Sequence, residues 1–336
     1  MATRYTIATL GSHSALQILK GAADEGFPTL VITLKDRDSF YRRYSFIDEI
    51  ITISSYTEFT KLQAKILKRP IIIVPHGSFV AYLGFEENKR LKLPYFGSKA
   101  LLDWEADRKK QRHWMEAAEI LVPHRFRKGD HIDRPVIVKS YGAAGGAGYF
   151  LAKNQNDFEK KLAVFTQKHF LVQEYIIGNP VYIHYFYSPL TKQLEILSID
   201  RRYETNVDSL GRLPFHYQKG WQIDPSYVVI GNQALTLRES LLPEVFAMGE
   251  RVITTSQKLI NKRGLYGPFC LETIITPDQK IYVIEISCRI VAGTNLFIHG
   301  SPLTWLTYDE PMSTGRRIAR EIKQAIQQKK LALILN

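Results

Sequence analysis

Two late segments of the chain carry carboxylates in a pattern suited to binding a divalent cation. Glu272 lies in one apolar run, Phe269–Ile275, and Glu285 lies in the next, Ile281–Ile286. The polar segment Pro277–Lys280 between them predicts a turn, so the two runs become antiparallel strands that can bring both carboxylates to one face. Mg²⁺ prefers oxygen ligands, and two carboxylates beside nucleotide phosphates can bridge it.

Arg289 follows the second of these predicted strands. Glu285, Ser287 and Arg289 are spaced by two residues, so their side chains share one face of an extended chain. Charged and polar side chains on an otherwise apolar strand are costly to bury unless they line a site. The alternative is a surface ion pair between Glu285 and Arg289, and the sequence leaves that alternative open.

A glycine-rich segment, Gly142–Gly148, lies between an apolar run that ends at Lys139 and a second run, Tyr149–Ala152. The backbone amides at Gly145 and Gly146 can approach triphosphate oxygens because no side chains intervene, and Lys139 can neutralise phosphate charge. The segment is not a P-loop, since no Gly-Lys-Ser/Thr follows, and it does not open a helix as a dinucleotide fingerprint should. A tight turn without a ligand is the alternative.

Two polar loops follow strands in the first third of the chain. The loop that contains His13 follows the apolar run Tyr5–Leu10, and the loop that contains Ser78 follows the apolar run Ile71–Val74. In an open parallel sheet, ligands bind beyond the carboxyl ends of the strands. The helix predicted after the first loop adds unpaired backbone amides suited to a phosphate. A helix cap and an ordinary turn are the alternatives for the two loops taken singly.

Two further polar positions carry a weaker signal. Glu204 lies in the charged run Asp200–Asn206, where it can accept a hydrogen bond from a ribose hydroxyl, or simply belong to a solvated loop. Asn232 follows a β-rich run and is uninformative on sequence alone.

The elements that would position these residues fall into two regions. Short strands alternate with helices through the first third, which indicates an α/β parallel sheet that ends with one long helix, Lys99–Ala118. Mostly antiparallel strands follow, which indicates an α+β region. We therefore predict a parallel-sheet substrate-binding domain over residues 1–118 and a second domain over residues 119–336, with a glycine-rich hairpin at 139–152. Further helices are predicted over Ser14–Glu25, Glu58–Lys68, Asn156–Gln167, Leu242–Leu259 and Thr314–Gln327.

The composition excludes several classes of protein. The 336 residues include 45 Lys and Arg against 33 Asp and Glu, a net charge of +12, but the cations are dispersed. Without a basic block or a zinc-finger spacing, the charge favours small phosphorylated ligands over nucleic acid. No run of about 18 uncharged apolar residues occurs, so no membrane partner is expected. Two cysteines, Cys270 and Cys288, exclude a disulfide framework and favour the cytoplasm.

Taken in this order, these residues resemble the ATP-grasp superfamily and, more closely, the archaeal-type FAICAR synthetases, the formate-dependent ligases of purine biosynthesis. The resemblance extends over nearly the full length. It rests on long segments that include IATLGSHSALQILKGA, IVPHGSFVAYLG, PYFGSKALLDWE, IVKSYGAAGGAGYFLA, DRRYETNVD and IEISCRIVAGTN.

The resemblance implies a preATP-grasp domain followed by an ATP-grasp domain, in a homo-oligomer. It implies a reaction in which ATP, formate and the ribonucleotide AICAR give FAICAR, ADP and phosphate through formyl phosphate, with Mg²⁺ or Mn²⁺. By position, the resemblance implies that His13, Ser78 and Asn232 bind AICAR. It implies that ATP is bound by Lys139, Glu204 and the loop with Gly145 and Gly146. It also implies that Glu272 and Glu285 bind the metal and that Arg289 stabilises the negative charge on the transferring group.

Three segments depart from the family's pattern. Residues 215–219 read Phe-His-Tyr-Gln-Lys where the family usually has Ala-Lys-Asp-Gln. Ala144 and Ala147 stand where the glycine loop of the family carries basic residues, and Ser287 stands where many ATP-grasp enzymes have Asn. Two alternatives therefore stay open. One is an ATP-grasp ligase that joins another carboxylate to another amine, and the other is a nucleotide-binding protein with little turnover.

Overall fold

The computed structural model of the chain describes residues 4–140, 149–166, 169–214, 216–218 and 228–336. Three sheets organise these residues, one parallel and two antiparallel. None of the helices within these ranges combines the length and the apolar character needed to cross a bilayer.

The first sheet is parallel and has the strand order β3-β2-β1-β4. Its strands are β1 (Thr6–Leu10), β2 (Thr29–Leu34), β3 (Glu49–Ile53) and β4 (Ile71–Ile73). The central strands are buried along nearly their whole length because helices cover the sheet, as predicted from the alternation of strands and helices. The helices of this region are α1 (Ala15–Asp24), α2 (Asp38–Tyr41), α3 (Glu58–Ile66), α4 (Gly77–Leu83), α5 (Phe85–Arg90), α6 (Lys99–Ala106) and α7 (Arg108–Ala117).

The prediction of one helix over Lys99–Ala118 is wrong, because the chain breaks at Asp107 into α6 and α7. The backbone of Asp107 is extended (φ −96°, ψ 107°), and its carboxylate accepts hydrogen bonds from the N–H groups of Lys109 and Lys110 at 2.8 and 3.1 Å. Asp107 is thus the N-cap of α7, and it satisfies amides that a helix start leaves unpaired. The absence of Gly and Pro did not ensure a continuous helix.

The second sheet is a small antiparallel one with the order β5-β8-β6-β7. Its strands are β5 (Arg125–Phe126), β6 (Val136–Ser140), β7 (Tyr149–Ala152) and β8 (Phe170–Glu174), and α8 (Gln155–Leu162) lies beside them. Lys139 pairs with Tyr149 across β6 and β7, which confirms that these two strands are antiparallel neighbours. The loop between them, with Ala144, Gly145, Gly146 and Ala147, lies outside the described residues.

The third sheet is antiparallel, with the order β11-β10-β9-β12-β13. Its strands are β9 (Asn179–Tyr187), β10 (Leu194–Glu204), β11 (Val229–Ala234), β12 (Gly267–Ile275) and β13 (Ile281–Ser287), with the helices α9 (Val207–Leu210), α10 (Leu242–Leu259) and α11 (Pro302–Trp305). The largest core cluster lies here, where the rings of Tyr185 and Phe269 stack with centroids 4.8 Å apart. The sheet therefore provides a rigid platform for the carboxylates on β12 and β13.

The last helix, α12 (Thr314–Gln327), returns to the parallel sheet and packs against α1. The two helices approach so closely that a Cβ atom on Gly21 would lie 2.1 Å from the backbone nitrogen of Arg316. At the end of α1, the buried carboxylate of Glu25 accepts from Arg316 at 2.8 Å and from Arg320 at 2.5 Å. Burial raises the pKa of Glu25, but these hydrogen bonds outweigh burial and hold the pKa below its usual value.

Candidate functional site

His13 lies in the loop between β1 and α1 with a left-handed backbone (φ +54°), which non-glycine residues rarely adopt. Its carbonyl oxygen accepts a hydrogen bond from the amide of Asn295 at 2.9 Å, so a segment after β13 holds this loop in place. No side-chain cap hydrogen bond forms at the start of α1, so the helix-cap interpretation of this loop is wrong. Strained, externally supported backbone of this kind clusters at functional sites.

The loop after β4 is organised by a buried histidine. His76 Nε2 donates to the Leu10 carbonyl at 2.9 Å, and Nδ1 accepts from the N–H of Ser78 at 3.2 Å. Because the carbonyl can only accept, the proton resides on Nε2 and the ring is neutral. Burial lowers the pKa of His76 to about 3. His76 thus fixes Ser78, which is itself buried, in the first turn of α4.

Gly77 marks the point where the two loops meet the end of the antiparallel sheet. A Cβ atom built on Gly77 would lie 2.8 Å from His13 Nε2 and 3.3 Å from Arg289 Nη1. The rings of His13 and His76 stack with centroids 5.8 Å apart. Although His13 is exposed as a residue, the partial burial of its ring lowers its pKa to about 4, and the positive charges of Arg289 and Arg202 add to this effect. His13 is therefore neutral at pH 7 and able to accept a hydrogen bond.

Glu272 and Glu285 face each other in register on β12 and β13, which confirms the predicted antiparallel pairing. Burial raises the pKa of Glu272 to about 7; Arg202 opposes the rise and the negative charge of Glu285 adds to it. Arg202 makes an ion pair with Glu272 at 3.2 Å and lies over the ring of Tyr182, 3.6 Å from its centroid. Arg202 therefore compensates part of the negative charge of this carboxylate pair.

This donor set fits Mg²⁺. Two half-buried carboxylates that repel each other supply the oxygen ligands a hard cation prefers, and the cation would offset their repulsion. Within the described ranges, no group of three or more His, Cys, Asp or Glu side chains is arranged to hold a metal ion. The remaining ligands would therefore be phosphate oxygens and water, which is how Mg²⁺ is usually bound beside nucleotides.

Lys139, at the end of β6, extends this site toward the second sheet. Burial lowers its pKa and the charge of Arg108 lowers it further, while Glu285 raises it, so the Lys139 ammonium lies within electrostatic range of the carboxylate pair. On the edge strand β11, Asn232 pairs with Arg202, and its buried side-chain oxygen has no hydrogen-bond partner among the described residues. Burial raises the pKa of Glu204, which is electrostatically coupled to Arg202. The described residues thus place these predicted groups around one region.

Arg289 connects the crevice to the carboxylates. It follows β13, and its charge both contributes to the lowered pKa of His13 and opposes the rise in the pKa of Glu272. The surface ion pair with Glu285 is not formed; Arg289 Nη2 instead lies 2.9 Å from the carboxylate of Glu105 on α6. Arg289 therefore lies between the crevice and the carboxylates, just after the end of β13, and its catalytic role stays a prediction.

Sequence reasoning missed the contacts that Glu105, Arg202 and Asn295 make in this site. Each contact joins segments far apart in the chain, and Glu105 and Asn295 carry no local pattern of their own. Arg202 lies near the end of β10, and its ion pair with Glu272, 70 positions later, cannot be read from the sequence.

Comparisons with known proteins show the family to which the chain belongs. Residues 7–126 match the family described as "Protein of unknown function (DUF1246)", and residues 151–336 match "Domain of unknown function (DUF1297)". A curated relative from Pyrococcus horikoshii, named 5-formaminoimidazole-4-carboxamide-1-(beta)-D-ribofuranosyl 5'-monophosphate synthetase, is 51% identical over 332 residues, covering 97% of this chain and 98% of the relative. The chain belongs to this synthetase family.

Solved structures extend the synthetase likeness to the fold. A crystal structure described as "an IMP biosynthesis protein PurP" from Thermococcus kodakaraensis aligns with a TM-score of 0.79 and 31% identity, covering 98% of this chain and 100% of the other. A second solved structure is the biotin carboxylase domain of 2-oxoglutarate carboxylase from Hydrogenobacter thermophilus, in complex with MgADP and bicarbonate. It aligns with a TM-score of 0.65 and 14% identity, covering 95% of this chain and 70% of the other. These likenesses confirm the predicted fold class of the synthetase, a parallel sheet followed by an ATP-grasp architecture.

Proposed function

We propose that the protein formylates AICAR: ATP, formate and AICAR give FAICAR, ADP and phosphate. The observation that supports this most strongly is the convergence of two different sites on Arg289. Arg289 lies near His13 in the polar crevice at the ends of the parallel strands, and its charge also acts on the facing carboxylates of β12 and β13. A ligase that activates one substrate with ATP and presents it to a second needs such adjacent sites.

AICAR is the natural occupant of the crevice. His13 is neutral and offers hydrogen bonds to a base or ribose, and Ser78 follows Gly77, the residue at which its loop approaches His13. Asn232, whose buried side-chain oxygen lacks a partner among the described residues, is assigned to the same substrate.

The carboxylate side would hold the ATP phosphates. Lys139 supplies positive charge from β6, Glu204 contacts the nucleoside, and Gly145 and Gly146 belong to the loop proposed to cover the phosphates. Glu272 and Glu285 would bind Mg²⁺, with Mn²⁺ as a substitute, and the bound metal would neutralise phosphate charge during transfer. The neighbouring Hydrogenobacter structure, a complex with MgADP, supports this assignment through the shared fold.

The proposed chemistry follows from the weakness of formate as an acyl donor, since its leaving group would be oxide. A formate oxygen attacks the γ-phosphorus of ATP, the bond to the bridging oxygen breaks, and ADP leaves. The 5-amino nitrogen of AICAR then attacks the carbonyl carbon of formyl phosphate; phosphate departs with the bonding electrons and the nitrogen loses a proton. Arg289 would stabilise negative charge on the transferring group, and the enclosed crevice would exclude water.

ADP release tests the proposal. The purified protein is incubated with ATP and Mg²⁺, with formate, AICAR, both or neither, and ADP and FAICAR are quantified by chromatography. ADP release that requires both substrates and equals FAICAR formed supports the synthetase. Release with another carboxylate and another amine would favour a different ATP-grasp ligase, and tight ATP binding without release would favour a nucleotide-binding protein.

We further propose that the protein acts in the cytoplasm as a homo-oligomer with small-molecule partners only. The dispersed cationic surface supports the absence of a nucleic-acid partner. Light scattering coupled to gel filtration measures the mass in solution, and a mass of 38.6 kDa would contradict the oligomer.

A further inference from the structure

Glu105 occupies an unusual position for a helical carboxylate. It lies near the end of α6, and its side chain is only 11% exposed. One oxygen accepts a hydrogen bond from the backbone N–H of Cys288 at 2.8 Å, and the other lies 2.9 Å from Nη2 of Arg289. Glu105 therefore anchors both the backbone and the side chain of the segment that follows β13.

These two anchors determine which way the guanidinium of Arg289 faces. With Nη2 held by Glu105, Nη1 is directed to the crevice, where it would lie 3.3 Å from a Cβ atom on Gly77. A guanidinium is a planar group with donors in a fixed fork, so fixing one end orients the other. Glu105 contacts no proposed substrate position itself and acts through Arg289.

A second carboxylate competes for Arg289. Glu285 lies four residues earlier, close enough for its charge to affect Glu105, and it is one of the two candidate metal ligands. An arginine released from Glu105 can pair with Glu285, which would remove a ligand from the metal and turn the cation away from the crevice at once. The pairing seen in the structure holds Arg289 on Glu105 and so leaves Glu285 available to a metal.

We propose that Glu105 is the positioning residue for Arg289 in the ligase reaction: it directs the guanidinium into the crevice and keeps it off Glu285. This inference rests on the proposed function, since the role of Arg289 is part of that function. A residue of α6, in the parallel-sheet region, would thereby control the orientation of Arg289 and keep the candidate metal ligand Glu285 on β13 available.

A matched pair of variants tests this role. Glu105→Gln removes the charge that holds Arg289, while Glu195→Gln removes an equally buried carboxylate, 13% exposed, that pairs with Arg317 at 2.9 Å and belongs to no proposed site. Each is measured for melting temperature, for kcat and KM with ATP and AICAR, and for Mn²⁺ affinity by electron paramagnetic resonance with a non-hydrolysable ATP analogue. Glu105→Asp, which keeps the charge, is the third variant.

We expect Glu105→Gln to lower kcat about 10- to 100-fold, the range for a misplaced catalytic group, with KM for ATP within about twofold. Its Mn²⁺ affinity should fall about tenfold, because Arg289 then competes for Glu285. Glu195→Gln should have the same melting temperature as Glu105→Gln, but it should keep the kcat and the Mn²⁺ affinity of the wild type. Glu105→Asp should recover part of both losses.

Two results would overturn the inference: wild-type kcat and Mn²⁺ affinity in Glu105→Gln, or equal losses in Glu195→Gln. If Glu105→Gln does not fold, the same readouts on Glu105→Asp decide, and wild-type values of kcat and of Mn²⁺ affinity there would reject the role. If the wild type releases no ADP with formate and AICAR, the proposed function fails while the Mn²⁺ comparison still decides the Glu105 question.

Discussion

Replacing Gly77 with alanine should impair AICAR use without harming the fold. Gly77 is the first residue of α4, and its backbone does not have the positive φ that would require glycine. Alanine is the better helix former by about 1 kcal/mol in a helix interior, and by less at a first position, so the substitution should leave stability unchanged or slightly raised. A loss of AICAR use in this variant would therefore not be explained by a loss of stability.

The size of the functional loss follows from two distances. The new methyl group would lie 2.8 Å from His13 Nε2, and ordinary contact begins near 3.4 Å, so the His13 ring must move by about 0.6 Å. The methyl group would also lie 3.3 Å from Arg289 Nη1, which restricts movement on the other side. Since a misplacement of about 1 Å costs on the order of 100-fold, we expect about a tenfold loss in kcat/KM for AICAR.

The assay is ADP release as a function of AICAR concentration, with calorimetry for AICAR and ATP affinity and a thermal melt. Gly211→Ala is the matched control, because its methyl group would lie 3.9 Å from the carbonyl oxygens of Val207 and Asp208 and its φ of −63° suits alanine. ATP affinity should stay within about twofold in both variants. If Gly77→Ala binds and uses AICAR as well as the wild type, the inference that His13 and Arg289 line the AICAR crevice beside this residue is wrong.

Four further predictions follow from the site and the core. His13→Ala should weaken AICAR much more than ATP in calorimetry, because the crevice and the phosphate site are separate. Glu285→Gln should lower turnover by orders of magnitude and leave circular dichroism unchanged, because one of two metal ligands is lost. Ala144→Arg or Ala147→Arg should raise a slow wild-type rate about tenfold, the value of one charge-assisted phosphate contact. Glu25→Gln should cost about 1 kcal/mol in urea unfolding at pH 7, because two partly exposed arginines lose one of their two carboxylate partners and keep Glu310. Since the folded pKa of Glu25 lies below its usual 4.5, this difference should persist above pH 4.5 and vanish as pH falls through the lowered pKa.

Each of these has a result that would contradict it. A larger loss for ATP than for AICAR in His13→Ala would mean that the two sites are exchanged. Near-normal turnover of Glu285→Gln at low Mg²⁺ would remove Glu285 from the metal site. A fast wild-type rate that neither arginine changes would make the loop charges dispensable, and a pH-independent cost of Glu25→Gln would place its effect in packing.

The facing carboxylates were predictable because the relevant information is local. A polar turn between two apolar runs sets the register within about a residue, and register decides which side chains oppose each other. Glu272 and Glu285 therefore meet as the sequence predicts. The same holds for the loops with His13 and Ser78, since a parallel sheet brings the ends of its strands to one edge.

The support behind these residues was not predictable, because it comes from long-range contacts. Glu105 meets Cys288 across 183 positions, and Asn295 meets His13 across 282. The same limit explains the error at Asp107, where a side chain caps a new helix inside an otherwise unbroken helical pattern. The boundary near residue 118, the roles of the site residues and the function of the glycine loop stay predictions.

The packing of α12 against α1 has a consequence for biosynthesis. The carboxamide of Gln17 accepts a hydrogen bond from the backbone of Gly315, 298 positions later. At 5–20 residues per second, a ribosome needs about 15–60 s to make the intervening chain. Throughout that interval the apolar side of α1, with Ile18 and Ala22, lacks its covering helix. The nascent chain is thus a candidate for chaperone protection until the final helix emerges, and slow translation should increase aggregation of incomplete chains.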